Sequence, residues 1–186
     1  WGFWMMTTWL PTFLQQRYKV HLKDLGMASV VPYGMQGVVS VVGGCVFDRV
    51  VVKRQVVSVR RGRLSAQAIA MLVPAGCLVL LVSGVITTKN AALAILTLAM
   101  STNALSTAGV GMNHLDLAPE QAGWVYGCLN TIGVLPGIIA VPLTGYILDR
   151  FGLVAGWWAV FCIAAGHYVV GWLVWFWFGA FAPIVD

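Results

Sequence analysis

The chain has 186 residues, of which 60% are hydrophobic and only 9% charged, with a mean hydropathy of +0.86. Soluble domains carry about 25% charged residues, and disordered tails combine low hydrophobicity with high net charge, so both classes are excluded. The net charge of +5 does not point to nucleic acid: six of the eleven basic residues (Arg49, Lys53, Arg54, Arg60, Arg61, Arg63) crowd into one stretch without interleaved aromatics. That pattern marks a loop held on the cytoplasmic side or facing anionic lipid head groups.

Six apolar segments follow in chain order. Trp1 to about Phe13 is too short to span, and the chain begins inside this apolar run without an initiator Met, which reads as a piece cut within a helix. Met27 to Phe47 gives about 30 Å of helix, the thickness of the hydrocarbon core. After the basic stretch Asp48–Arg63 come Ser65 to Ile86, Ala91 to Met112, Ala122 to Ile147 and Trp157 to Phe181. The expected fold is therefore an all-α membrane protein with six transmembrane helices. Neighbours joined by short connections should be antiparallel, and the ten-residue alternation of a β-barrel is missing. Placing the basic stretch in the cytoplasm puts the His114–Glu120 loop and the C-terminus on that side. Six basic residues then oppose five, so the orientation rests mainly on the density of one loop.

Two segments end alike. Gly44, Asp48 and Arg49 form a G-x-x-x-D-R run, and Gly145, Asp149 and Arg150 repeat it 101 residues later. Glycine there permits close helix contact, while the carboxylate can pair with its neighbouring arginine and attract the positive end of an adjoining helix. Such a group would serve as a conformational latch. The plainer reading is snorkelling side chains at helix ends.

No charge occurs in the middle of any segment, so the remaining candidates are neutral. Thr102, Ser106, Gly109 and Asn113 are spaced i, i+4, i+7 and i+11, the repeat of one helix face, with Asn103 and Thr107 beside it. Tyr126, Asn130, Gly133 and Gly137 repeat the pattern in the fifth segment. Asn130 needs either a partner or a wet cavity at its depth, whereas the serines and threonines suit hydrogen bonds between helices. The fifth segment also holds Gly123, Gly127, Pro136 and Pro142, and predicts a bent, closely packed helix. Pro11, Pro32 and Pro74 predict distortions elsewhere. Cys45, Cys77, Cys128 and Cys162 each stand alone in apolar surroundings, as buried free thiols would. His21, His114 and His167 are too scattered for a metal site, and no nucleophile–base order or phosphate-cradling loop is present. Tyr168, Trp172, Trp175 and Trp177 read as an interfacial aromatic belt.

The run Asn113-His114-Leu115-Asp116-Leu117-Ala118-Pro119, with Ala122-Gly123, Gly127, Asn130-Thr131-Ile132-Gly133 and Pro136-Gly137, resembles the anion:cation symporters of the major facilitator superfamily. That group includes vesicular glutamate transporters, sialin, sodium/phosphate carriers and the plastid phosphate transporters of plants and algae. The opening Trp1-Gly2-Phe3 and Thr8-Trp9-Leu10-Pro11-Thr12-Phe13 resemble the family's seventh helix, Val31-Pro32-Tyr33 its eighth, and both G-x-x-x-D-R runs fall at family positions. The resemblance covers essentially all 186 residues and is strongest toward the plastid branch. It implies that residues 1–186 are the C-terminal six-helix half of a twelve-helix carrier, with the missing N-terminal six-helix half as its partner. It further implies alternating access, a small anionic substrate (phosphate or an organic anion) and a Na⁺ or H⁺ gradient as the coupling ion, in a plastid, plasma or vesicle membrane, without another cofactor. By the same resemblance Asn130 contacts substrate, with Ser106, Thr131, Tyr33 and Trp4 around it, and Gly44, Asp48, Arg49, Gly145, Asp149 and Arg150 form the latch. Two positions depart from the family: Glu120-Gln121 stands where many relatives have Arg-Tyr, and Trp4 where several have Tyr. The competing expectation is a non-transporting six-helix membrane subunit or sensor. A membrane-embedded enzyme is disfavoured for want of paired catalytic residues.

Overall fold

A computed structural model describes residues 1–181, apart from the side chains of Leu22 and Met27. Among the described residues every regular element is helical. Helix α1 spans Gly2–Tyr18 and ends where Lys19 turns left-handed at φ 56°. Helix α2, Leu22–Phe47, continues into a π-helical stretch at Asp48–Lys53. Helix α3 is Val59–Val82 and α4 is Lys89–Asn103. After a 3₁₀ turn at Ala104–Thr107 come the short α5, Asn113–Leu117, and the long α6, Ala122–Phe178.

Three of these helical stretches are long and apolar enough to cross a membrane: Lys23–Lys53, Val59–Val82 and Ala122–Phe178. The expected count of six spans is corrected to three candidates, for identifiable reasons. Helix α1 has only 17 residues. The fourth segment stops being α-helical at Asn103, because the chain passes into the 3₁₀ turn and then irregular turns. The fifth and sixth segments join in α6, although Gly152 interrupts it at φ 73°, ψ 178°. That backbone conformation is open essentially to glycine alone. It folds α6 back on itself, and Gly156 then lies so near Leu148 that an added Cβ would meet its side chain at 3.0 Å.

A second correction concerns the basic stretch. Helix α3 begins at Val59, six residues before the expected Ser65, because the Ser58 hydroxyl accepts the Arg61 N–H at 3.4 Å and caps the first turn. Arg60, Arg61 and Arg63 are thus helical residues. Thr88 caps α4 in the same way, accepting the Ala91 N–H at 3.3 Å.

Pro11, Pro32, Pro74, Pro136 and Pro142 all lie inside helices that continue past them, so the sharp break falls at Gly152 instead. Helix α1 runs parallel to the first leg of α6, with Trp4 against Gly137 and Trp9 against Gly145, and antiparallel to the second leg, where Gly2 abuts Tyr168. The core lies between α1, α3, α4 and that second leg. Phe13 meets Trp157 edge-on at 5.0 Å and Phe161 at 4.7 Å. The buried Trp157 donates its indole N–H to Gln16 at 3.0 Å, satisfying the one polar atom of a large apolar residue.

Candidate functional site

The exposed half of α6 is the first feature that a packed core does not explain. From Gly123 to Leu135 almost every side chain is exposed, on all sides of the helix. An ordinary surface helix hides one stripe. Asn130 and Thr131 are exposed within this stretch, as is Cys128. The Thr131 hydroxyl is satisfied internally, donating to the Gly127 carbonyl at 2.8 Å.

Trp4 closes the C-terminal end of this face. Its indole N–H donates to the Gly133 carbonyl at 3.3 Å, one turn beyond Asn130. A Cβ on Gly137 would lie 2.8 Å from the indole, so the absence of a side chain there is what lets the ring lie across α6. Trp4, Thr8, Gly137 and Pro142 line an open groove of about 430 Å³. Tyr33 of α2 reaches α1, the helix that carries Trp4, donating its hydroxyl to the Thr7 carbonyl at 2.7 Å. Of the five expected substrate residues, Trp4 therefore sits beside the stripe that carries Asn130 and Thr131, and Tyr33 touches the helix that holds Trp4.

Ser106 is placed elsewhere. It lies in the 3₁₀ turn, which packs on α2 and α3. The expected continuous face Thr102–Ser106–Gly109–Asn113 is corrected accordingly: the four positions belong to α4, the 3₁₀ turn, an irregular turn and α5. Asn103 makes the interhelical contact that was expected of its neighbours, donating to the Ala70 carbonyl at 3.0 Å.

At the latch positions, Asp48, Arg49, Asp149 and Arg150 are exposed. A Cβ on Gly44 would meet nothing within 4 Å, and on Gly145 it would stand 3.5 Å from Trp9, an ordinary contact. Close packing within this chain is thus not the reason for either glycine. The expected pairing of each aspartate with its adjacent arginine is also not made; among the described residues the salt bridge is between Arg63 and Asp116, at 2.8 Å.

Arg63 is only 4% exposed and gathers four elements. Its Nε donates to Asp116 Oδ2 at 2.8 Å, Nη1 to the Ala108 carbonyl at 2.8 Å and Nη2 to the Met112 carbonyl at 3.4 Å. The guanidinium also lies 4.6 Å from the Phe47 ring centre. A buried cation survives only when its donors are occupied, and here a carboxylate, two carbonyls and an aromatic face occupy them. The node ties the start of α3 to the end of α2, to the turns that follow the 3₁₀ stretch and to α5. Sequence reading missed it by counting Arg63 among loop cations. The signal was present: Arg63, Gln67, Ala70 and Pro74 follow i, i+4, i+7 and i+11, and all four are buried on α3.

The free cysteines divide. Cys77 is buried, Cys162 half-buried, and Cys45 and Cys128 are exposed, so burial was expected correctly for Cys77 alone. The aromatic belt divides too: Tyr168 is buried in the core, while Trp177 is exposed.

No family model matches the chain. Individual proteins do. Over its whole length the chain is 35% identical to an ascorbate transporter, chloroplastic, of Arabidopsis thaliana, covering 33% of that protein. It is 33% identical, again over its whole length, to sodium-dependent phosphate transport protein 1, chloroplastic, of the same organism, covering 35% of it. The chain thus spans about a third of the length of the curated relatives it matches. With three helical stretches long and apolar enough to cross a bilayer, and relatives named as transporters, it is an integral membrane protein.

Proposed function

We propose that the chain is the C-terminal half of a major facilitator superfamily carrier that moves phosphate or an organic anion by alternating access, driven by Na⁺ or H⁺, with the plastid envelope as its membrane. The observation that carries this reading is the end-to-end likeness to chloroplastic transporters named for ascorbate and phosphate, of which the chain covers about a third. The uncovered stretch of α6 supports it. Asn130 and Thr131 stand in an apolar helix without a covering neighbour, which suits a face that closes on an N-terminal half and lines a wet, substrate-sized space. Six crossings follow in this reading, because Gly152 folds α6 into two legs, and α1 and α4 supply shorter spans extended by their flanking turns.

Asn130 is the hydrogen-bonding contact to the anion, and Trp4 shapes the edge of the site. Thr131, Tyr33 and Ser106 lie around it as the halves close. The chain has no charge in mid-membrane, so the groups that neutralise the anion and handle the coupling ion belong to the other half. The exposed Asp48–Arg49 and Asp149–Arg150 pairs, with Gly44 and Gly145, act as latches against that half rather than within this one.

Reconstitution of the full-length carrier in proteoliposomes tests the reading. Uptake of phosphate or an organic anion should respond to an imposed Na⁺ or H⁺ gradient, and Asn130→Ala should lower uptake while leaving the protein in the membrane. Unchanged affinity and turnover in Asn130→Ala removes that assignment. Absence of uptake for every anion favours a non-transporting membrane subunit. For the latch, Asp48→Asn should shift the balance between inward- and outward-facing states, read from cysteine labelling on the side of the basic stretch; equal labelling counts against it.

A further inference from the structure

A second polar site, lined by none of the residues of the Asn130 stretch, lies between α3, α5 and the end of α6. A cavity of about 330 Å³ opens there, a volume at the lower end of small-ligand pockets. Three buried polar atoms in its lining are without a hydrogen-bond partner among the described residues: Gln67 Nε2, Asn113 Oδ1 and Trp175 Nε1. Gln67 is 0% exposed and Asn113 3% exposed.

The orientation of each amide is fixed by a backbone group. Gln67 accepts the Val110 N–H through Oε1 at 3.0 Å, which leaves its NH₂ as the unused donor. Asn113 donates through Nδ2 to the Ala180 carbonyl at 3.0 Å, which leaves its oxygen as the unused acceptor. The indole of Trp175 can only donate. The cavity therefore presents two donors and one acceptor. Leaving all three unmade costs the desolvation of each group, so the arrangement calls for an occupant.

Among the described residues no charged side chain lines the cavity. The nearby Arg63 is already committed to Asp116 and two carbonyls, so nothing is available to neutralise an anion. The mouth is apolar: Val174 is 52% and Phe178 82% exposed, on the end of a helix that faces outward from the core. An occupant must be neutral, must carry carbonyl oxygens and a hydroxyl, and must have an apolar tail to lie across Val174 and Phe178. We propose that this cavity binds the uncharged ester-and-hydroxyl region of a neutral glycerolipid. Ester carbonyls accept from Gln67 and Trp175, the hydroxyl donates to Asn113, and the acyl chains run out over the last turns of α6. The site requires only that the chain be embedded in a bilayer, and it holds whatever the carrier transports.

Native mass spectrometry of the detergent-solubilised full-length protein, titrated with dioctanoylglycerol, tests this. A one-to-one adduct is expected with dioctanoylglycerol and none at equal concentration with dioctanoyl phosphatidic acid or tetradecane. Gln67→Met removes a donor and should weaken the adduct about fivefold, the equivalent of about one hydrogen bond. Val174→Trp blocks the exposed mouth without touching any polar group, and should abolish the adduct in a protein that folds normally. Equal adducts in the parent and Val174→Trp, equal binding of the phosphatidic acid, or a high-resolution map with only ordered waters bridging Gln67, Asn113 and Trp175 would each overturn the assignment.

Discussion

Replacing Asp116 with leucine tests the Arg63 node most directly. The substitution removes the carboxylate that sits 2.8 Å from both Nε and Nη2 and leaves the guanidinium in a place that is 4% exposed. Deleting one member of a buried ion pair costs about 3–5 kcal/mol. Two features lower that figure. The Asp116 side chain is itself 26% exposed, so water can reach the vacated position, and Arg63 keeps the Ala108 and Met112 carbonyls. A loss of about 2–3 kcal/mol is expected, which for a chain of this size lowers the melting temperature by about 4–12 °C. Adding Arg63→Met to Asp116→Leu removes the stranded charge. The double variant should be more stable than the sum of the single losses by about 1–3 kcal/mol. Heating the detergent-solubilised variants and following the surviving monodisperse peak by size-exclusion chromatography gives all four corners of the cycle. A shift below about 1 °C for Asp116→Leu, or strict additivity, would refute the claim that this pair holds the helix ends together.

Three further outcomes are expected. Gly137→Ala puts a methyl 2.8 Å from the Trp4 indole and should destabilise by about 1–3 kcal/mol, with recovery when Trp4 is also replaced by leucine; no recovery in the double variant would locate the strain elsewhere. Gly152→Ala forces a side chain into a φ of 73° and should cost about 1–3 kcal/mol by the same melting assay, whereas a neutral result would deny that residue its role in folding α6 back. Cys128, exposed on the uncovered face, should react with maleimide far more slowly in the full-length carrier than in the isolated chain, and equal rates would argue against a partner half covering that face.

Much of the architecture was legible because hydropathy reports membrane helices strongly. The second, third and fifth segments reappear in α2, α3 and the first leg of α6. What failed to carry over depended on local backbone chemistry within apolar sequence. Ser58 moved the start of α3 back by six residues, and no hydropathy window registers a single capping hydroxyl. The break after Asn103 was passed over because hydropathy does not weigh helix breakers: Ala104 to Met112 contains Gly109 and Gly111, and its geometry changes to 3₁₀ and irregular turns. The stripe assigned across that break was a correct count on a helix that does not continue. For the site, the expected close packing of the fifth segment is met at Gly137 alone, where the Trp4 indole would stand 2.8 Å from an added Cβ; at Gly123, Gly127 and Gly133 a Cβ would meet nothing within 4 Å.

The two ends of the polar inventory have opposite energetics, and that contrast orders the molecule. At the Arg63 end, one cation occupies a buried position because a carboxylate of α5 and the carbonyls of Ala108 and Met112 converge on it, so this cation is held by contacts internal to the chain. Along residues 123–135 the reverse holds: a neutral amide, a hydroxyl and a thiol stand exposed on an apolar helix, with no internal charge to draw water or substrate. Neutral hydrogen-bond donors can orient an anion but cannot offset the cost of moving its charge into a membrane, which needs cations or a coupling ion nearby. Under the proposed function, a face with orienting groups and without neutralising ones supplies half of an anion site. The uncovered stretch of α6, rather than the better-packed Arg63 node, is where we propose that a partner half and a substrate would act.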